Sequence, residues 1–177
     1  MATVAVSLEE LLARLRAAAR LAERPHKENL ELFTEEARRL LSRGDVRDAA
    51  EKAWAAYKSL LGLILATRGL PLIEERIRRT WEQEGAARAE KLLEWWSGTG
   101  LLVPSAGQKL DTIVNLAVEA TGDKEIAAKL HVAALLHVFF YHGPEIAVVS
   151  ERRAAEAVQD LIDWVKKKAK QYKLLQP

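Results

Sequence analysis

The sequence predicts an all-α protein, an antiparallel helical bundle of about six to seven helices. Apolar residues recur at intervals of three and four along most of the chain, as they do on one face of a helix. Runs that alternate apolar and polar residues, which indicate strands, are nearly absent. Glycine and proline mark a few short joints, and short joints favour antiparallel neighbouring helices.

The N-terminal part predicts two helices separated at a proline. Ser7-Leu-Glu-Glu10 has the pattern of a capping box and begins the first helix. We expect this helix to end before Pro25, because proline disfavours the helical conformation of the residue before it. A second helix then follows to about Arg43. On this basis residues 1–24 form an N-terminal accessory helix, and residues 25–177 form a single compact helical-bundle domain.

The middle of the chain begins at a Gly44-Asp45 joint, where the glycine can close one helix and the aspartate can cap the next. The third helix, about 46–68, has doubled apolar positions and therefore a broad buried stripe. Gly69 and Pro71 mark another stop. Residues 72–97 then predict one or two more polar helices that end at a tryptophan pair.

The last third of the chain predicts a loop and three helices. Residues 97–105 are the clearest loop of the sequence, and a capping pattern begins a helix that runs to about residue 121. The next helix spans 123–142 and ends at Gly143-Pro144, because glycine followed by proline is typical of a helix end. The final helix covers about 150–172.

Composition limits the classes of function. The chain has 177 residues, no cysteine and a formal net charge of +2, which excludes disulfides and thiolate chemistry and gives no global attraction to nucleic acid. The longest apolar stretch, Val132–Tyr141, is about half of the ~20 residues that span a bilayer. We therefore expect a soluble, cytoplasmic protein without membrane contact. The low methionine count and absent cysteine favour a thermophilic source.

Several segments resemble a known family. They are Leu40-Leu41-Ser-Arg-Gly44-Asp45, Ala49-Ala50-Glu51-Lys52-Ala53-Trp54, Ala56-Tyr57-Lys58, Leu130-His131 and Phe139-Phe140-Tyr141. Over roughly residues 28–172 the chain resembles the PaREP family of archaeal helical proteins, placed with the HEPN-like superfamily. The resemblance implies an antiparallel helical bundle, often dimeric, whose biochemical role is undefined.

The same resemblance implies a test for catalysis. HEPN-like ribonucleases resemble one another in an arginine, a polar residue and then a histidine four to six positions after the arginine. No arginine stands at that distance before His131, His137 or His142. We therefore expect a non-catalytic protein that acts by oligomerisation or partner binding, beside a nucleotide or nucleic acid. The alternative is a metal-independent ribonuclease or nucleotide-handling enzyme that uses His131 with Lys124.

The helix at 123–142 holds the main candidate binding residues. At about 100° per residue, Lys124, His131 and His142 fall on nearly one line, which could receive an anion. They span about 27 Å along the helix, so they meet at one ligand only if a symmetry mate brings a second line alongside. In the alternative interpretation, His131 and His137 are core or interface residues and His142 faces solvent. A buried His137 needs a hydrogen-bond partner such as Tyr57 or Glu51.

Trp95 and Trp96 are the second candidate. Adjacent helical residues point about 100° apart, so one of the pair is free to line a groove or a dimer contact. No histidine pair has the i,i+4 spacing of a zinc helix, and we expect neither a metal nor a cofactor. The expected partners are a second copy in a dimer, another protein, or a nucleotide or RNA.

Overall fold

A computed structural model describes residues 6–100 and 110–175, with the side chains of residues 99 and 100 excepted. Within these ranges the chain forms seven α-helices and one π-helical segment and no strand, which confirms the all-α prediction and fits a helical bundle. The helices are α1 Leu8–Ser42, α2 Val46–Thr67, α3 Leu70–Glu84, α4 Ala86–Trp95, α5 Leu110–Thr121, α6 Glu125–Ala147 and α7 Glu151–Gln171, and the π-helical segment is Trp96–Gly100. Most of the predicted loop, and the predicted helix start after it, lie outside the described residues.

The predicted helix end at Pro25 is wrong, because α1 continues through this proline as one helix of 35 residues. An interior proline removes one backbone hydrogen bond and costs about 3 kcal/mol. Burial of apolar side chains on both sides of it, including Ala22 and Leu30, offsets that cost. Leu21, whose carbonyl loses its donor, is an exposed residue where water can replace it. The predicted domain boundary at residue 24 stays a prediction.

The chain forms two compact units. The first unit comprises Met1–Arg24 and Gly62–Gly122. Its core is aliphatic with one tryptophan, and includes Leu11, Leu12, Leu15, Ile73, Ile77, Leu93, Trp96, Ile113 and Val114. Arg16 forms a two-pronged ion pair with Glu74, with nitrogen–oxygen distances of 2.7 and 2.9 Å. This geometry fixes the first part of α1 against α3.

The second unit comprises Pro25–Leu61 and Asp123–Pro177. It contains the later part of α1, most of α2, and the whole of α6 and α7. The doubled apolar positions of α2 are buried, as predicted: Ala49, Ala50, Ala53, Trp54, Ala56, Tyr57, Leu60 and Leu61. Buried residues of α7 pack into the same unit, namely Ala154, Val158, Leu161, Ile162 and Val165.

Two predicted helix starts are confirmed by their hydrogen bonds. The backbone N–H of Glu10 donates to Ser7 Oγ at 3.2 Å, and the N–H of Ser7 donates to Glu10 Oε2 at 2.7 Å, so the capping box is complete. At the next joint Gly44 has φ +77°, and the N–H of Asp48 donates to Asp45 Oδ1 at 3.2 Å. Both helices begin where a side chain accepts hydrogen bonds from the free backbone amides of the first helical turn.

Candidate functional site

The surface of α6 carries a stripe of exposed side chains. They follow one another at alternating steps of four and three residues, and we call them the α6 seam: Lys124, Ala128, His131, Leu135, Val138 and His142. Leu135 and Val138 each keep 36% of their surface exposed. Alternating steps of four and three are the spacing of the a and d positions in a coiled coil. The seam is therefore spaced like a contact surface for another helix.

Three candidate residues from the sequence lie on this seam. Lys124, His131 and His142 share one face of the helix and are all exposed. Within the described ranges, His131 has no hydrogen bond or ion pair to another residue. No packed partner holds its ring in one orientation, so the seam is an open surface rather than an enclosed site.

His137 lies on the side of α6 that packs against α2. Its Nδ1 is 3.2 Å from Glu51 Oε2, and its ring stacks on Trp54 with centroids 4.9 Å apart. The expected partner Glu51 is thereby confirmed. Tyr57, the other expected partner, instead donates its hydroxyl to the carbonyl of Ile126 at 2.7 Å. His137 therefore joins α6 to α2.

A cluster of polar side chains joins the N-terminal end of α6 to the end of α7. The Lys168 ammonium lies 2.5 Å from Asp123 Oδ2 and 2.8 Å from Glu125 Oε2. The hydroxyl of Tyr172 donates to Asp123 Oδ2 at 2.5 Å, and the indole N–H of Trp164 donates to Glu125 Oε2 at 3.1 Å. We call these five residues the α6–α7 clamp.

The charges of the clamp shift its pKa values. Burial acts to lower the pKa of Lys168, but hydrogen bonds and charge interactions with Asp123 and Glu125 outweigh it and raise that pKa to about 12. Burial acts to raise the pKa of Asp123, and the bonds from Lys168 and Tyr172 hold it below its usual range instead. Both groups are therefore stabilised in their charged forms.

The predicted stop at Gly143 is confirmed as a sharp change of direction. Gly143 takes φ +77° and ψ −176° and leaves the helical conformation, and a further turn extends to Ala147. The Arg47 guanidinium satisfies carbonyls that the break leaves open. It donates to the carbonyls of Phe140 at 2.5 Å and Tyr141 at 3.2 Å. The straight part of α6 therefore ends where the seam ends.

Among the described residues, one helix is long and apolar enough to cross a membrane. It is Glu125–Ala147, whose most apolar window has a mean hydropathy of 1.2 and is 22% buried. A core helix of a soluble protein meets the same criteria of length and composition, but such a helix is mostly buried. The expected absence of a membrane-spanning segment stays a prediction.

The two candidate tryptophans of the first unit lie in different environments. Trp96 is 2% exposed and belongs to the core, and Trp95 meets it edge to face with centroids 4.5 Å apart. Trp95 lines a cleft of about 320 Å³ between α3 and α4, together with Thr80, Glu84, Arg88, Lys91 and Leu92. The other five lining residues were not among the sequence candidates. The spacing of positions 88, 91, 92 and 95 along one helix face carried the signal.

The part of the chain that the structure describes contains no group of three or more histidine, aspartate and glutamate side chains that could hold a metal ion. Carboxylates that lie close together are paired with cations instead, as in the α6–α7 clamp. The expectation that the protein uses no metal or cofactor stays a prediction.

Fold and surface define an all-α helical protein with an open helix seam and a separate small cleft. The model of the archaeal PaREP1/PaREP8 family matches residues 25–162. Because this match covers well over half of the chain, the protein belongs to that family, and the resemblance seen in the sequence is confirmed. Neither the curated proteins nor the solved structures give a significant match. The HEPN-like placement stays a prediction.

Proposed function

We propose that this protein is non-catalytic and acts by association, and that its first partner is a second copy of itself bound along the α6 seam. The observation that carries the proposal is the seam itself. A helix that is apolar on the side facing water is typical of an interaction surface. All six seam side chains are exposed in the part of this unit that the structure describes.

The spacing of the seam favours a helix as the partner. Positions 126, 133 and 140 lie on the side of α6 opposite the seam. Ile126 and Ala133 are buried within the unit. This helix therefore has one packed side and one open side. In the middle of the open side, Ala128, Leu135 and Val138 are small or branched residues that suit close helix packing. An α6 of a second copy offers a matching surface.

The order of the seam residues favours an antiparallel pair. If two seams are centred on position 133, Ala128 of one copy faces Val138 of the other, and His131 faces Leu135, on both sides of a two-fold axis. In coiled-coil terms, residues 128, 135 and 142 are a positions, and residues 124, 131 and 138 are d positions. Each a position of one copy then meets a d position of the other, as in antiparallel coiled coils. This arrangement also brings the line of Lys124, His131 and His142 of one copy alongside the same line of the other copy.

Charge supports the same direction. Lys124 and His142 are exposed at the two ends of the seam. The antiparallel pair centred on position 133 places Lys124 of each copy opposite His142 of the other, whereas a parallel pair places the two Lys124 ammonium groups together. Lysine and two histidines along the seam are costly in contact with lipid, which favours a protein partner over a bilayer.

The direct test is the mass of the protein in solution, measured by sedimentation equilibrium at micromolar concentrations. The chain should be a dimer, and Leu135→Glu should weaken the dimer by at least roughly a hundredfold, because it places a carboxylate in an apolar contact. Leu32→Glu is the matched control, since Leu32 is 51% exposed on α1 of the same unit. This control should leave the mass unchanged.

Two results would contradict the proposal. A monomeric mass at high micromolar concentration excludes the self-association. Binding of the monomer to phospholipid vesicles, lost in Leu135→Glu, would assign the seam to a membrane instead. The non-catalytic part has its own test: incubation with RNA should give no cleavage, and cleavage that His131→Ala abolishes would establish the ribonuclease alternative.

A further inference from the structure

The cleft of the first unit combines an aromatic ring with several polar and charged side chains. Its volume of about 320 Å³ lies at the lower end of the range for ligand pockets. One wall carries an aromatic ring from Trp95 and an aliphatic side chain from Leu92. The other lining groups are polar: Thr80 and Glu84 on α3, and Arg88 and Lys91 on α4.

The cleft-lining residues of α4 form a face separate from its core face. Positions 88, 91, 92 and 95 lie within about 100° of one another around the helix axis. Ala89, Leu93 and Trp96 occupy the neighbouring face and are buried. Core packing therefore does not require a tryptophan at position 95, and its side chain is partly exposed to the cleft.

The polar groups of the cleft are only weakly engaged with one another. Arg88 Nε lies 3.3 Å from Glu84 Oε2, and both side chains are more than half exposed, so this ion pair contributes little and can be displaced. The Thr80 hydroxyl donates to the carbonyl of Arg76 at 2.9 Å and keeps lone pairs that can accept from a ligand. Lys91 adds a second cation.

We propose that this cleft binds a nucleoside monophosphate or a small molecule of the same kind, with its flat ring on Trp95 and its anionic group on Arg88 and Lys91. Aromatic side chains stack on flat rings, and guanidinium groups bind phosphate in a two-pronged geometry. Trp95 and Arg88 are seven residues apart, about 10 Å along the axis, so ring and anion must be joined by a spacer such as a sugar.

The local backbone also favours a binding site here. A π-helical segment begins at Trp96, immediately after Trp95. Such wide helical turns occur frequently at functional sites. The binding site rests on residues of the first unit only, so it is independent of the proposed dimer contact.

The test is isothermal titration calorimetry of the full chain with AMP, adenosine and inorganic phosphate as separate probes. AMP should bind, and adenosine and phosphate should each bind at least roughly tenfold more weakly, because each lacks one half of the recognised chemistry. Trp95→Leu should abolish AMP binding, and Trp95→Phe should retain part of it. Circular dichroism confirms that the variants are folded.

A matched pair of arginine variants separates the cleft from general charge effects. Arg88→Gln should weaken AMP binding roughly tenfold or more. Arg79 forms an i,i+4 ion pair with Glu75 of similar exposure on α3 but lies outside the cleft lining, so Arg79→Gln should have no effect. Equal losses in the two variants would overturn the assignment.

Two further results would also overturn it. The first is the absence of AMP binding at millimolar concentration. The second is a short RNA that binds with a steep salt dependence while AMP does not, which would make the surface a nucleic-acid interface.

Discussion

The two long helices of the second unit, α6 and α7, meet water in opposite ways. α7 places its apolar residues in the core and, apart from the buried Lys168, its charged residues outside, as a helix of a soluble protein does. α6 is apolar nearly all round, and its outer side exposes Leu135, Val138 and Tyr141. The two helices have similar lengths and belong to the same compact unit. Their difference supports our proposal that α6 takes part in a further contact.

The clamp explains how an apolar helix with an open side keeps its position. Lys168 is 6% exposed and reaches both carboxylates at the start of α6. At the other end, the Arg47 guanidinium holds the carbonyls that precede the kink. Polar contacts therefore fix the two ends of α6, and its middle remains available to a partner.

The largest effect should come from removing the buried cation of the clamp. Lys168→Met leaves the Asp123 carboxylate buried without its ammonium partner, which should reduce the free energy of unfolding by about 3–5 kcal/mol. Lys167→Met is the control, because Lys167 is the exposed neighbour on the same helix and its loss should stay within about 0.5 kcal/mol. Urea denaturation measures both values. Similar values for the two variants would show that the clamp does not stabilise the protein.

A smaller effect should appear at alkaline pH. The folded pKa of Lys168, about 12, lies above its unfolded value of about 10.4, so its contribution to stability is complete below the unfolded value and is lost as pH rises through the folded one. This loss corresponds to about 2 kcal/mol. The stability difference between the wild type and Lys168→Met should therefore shrink between about pH 10 and pH 12. A difference that is constant over this range would contradict the charged clamp.

An effect of similar size should come from the kink that ends α6. Gly143 combines φ +77° with ψ −176°, a conformation that residues with a Cβ avoid. An added Cβ would also lie 3.3 Å from Glu145 Oε2. Gly143→Ala should therefore lower the free energy of unfolding by about 1–3 kcal/mol. Gly98 has open space around it and no positive φ, so Gly98→Ala should change the free energy of unfolding little. Equal losses in the two variants would show that a side chain at position 143 causes no particular strain.

The sequence predicted features that depend on neighbouring residues. Capping at Ser7 and the stop at Gly143 follow from local backbone chemistry, and both were correct. The break at Pro25 was wrong because burial along α1 outweighs the local preference of one residue. The pairing of Lys168 with Asp123 could not be predicted, since these residues are distant in sequence and no periodic pattern links them. The position of Thr80 in the cleft could not be predicted either, because most of the other lining residues come from a second helix.

The candidate site was predicted in part. The alignment of Lys124, His131 and His142 follows from helical geometry alone, and the structure has these residues on one exposed face. Exposure itself could not be predicted, because an apolar helix is equally consistent with a buried core position. The seam is recognisable only once Ile126, Ala133 and Leu136 are seen to take up the buried side.

The central claim is that two α6 seams pair in an antiparallel direction, and disulfide cross-linking tests it most directly because the chain has no cysteine. Ala128→Cys and Val138→Cys are prepared as separate proteins, then mixed and oxidised. Antiparallel pairing centred on position 133 places these two positions opposite each other, whereas two copies of residue 128 would be about 15 Å apart along the axis, too far for a disulfide. We predict a covalent dimer in the mixture and none in either protein alone. Cross-linking of each protein with itself, or none in any sample, would contradict the claim.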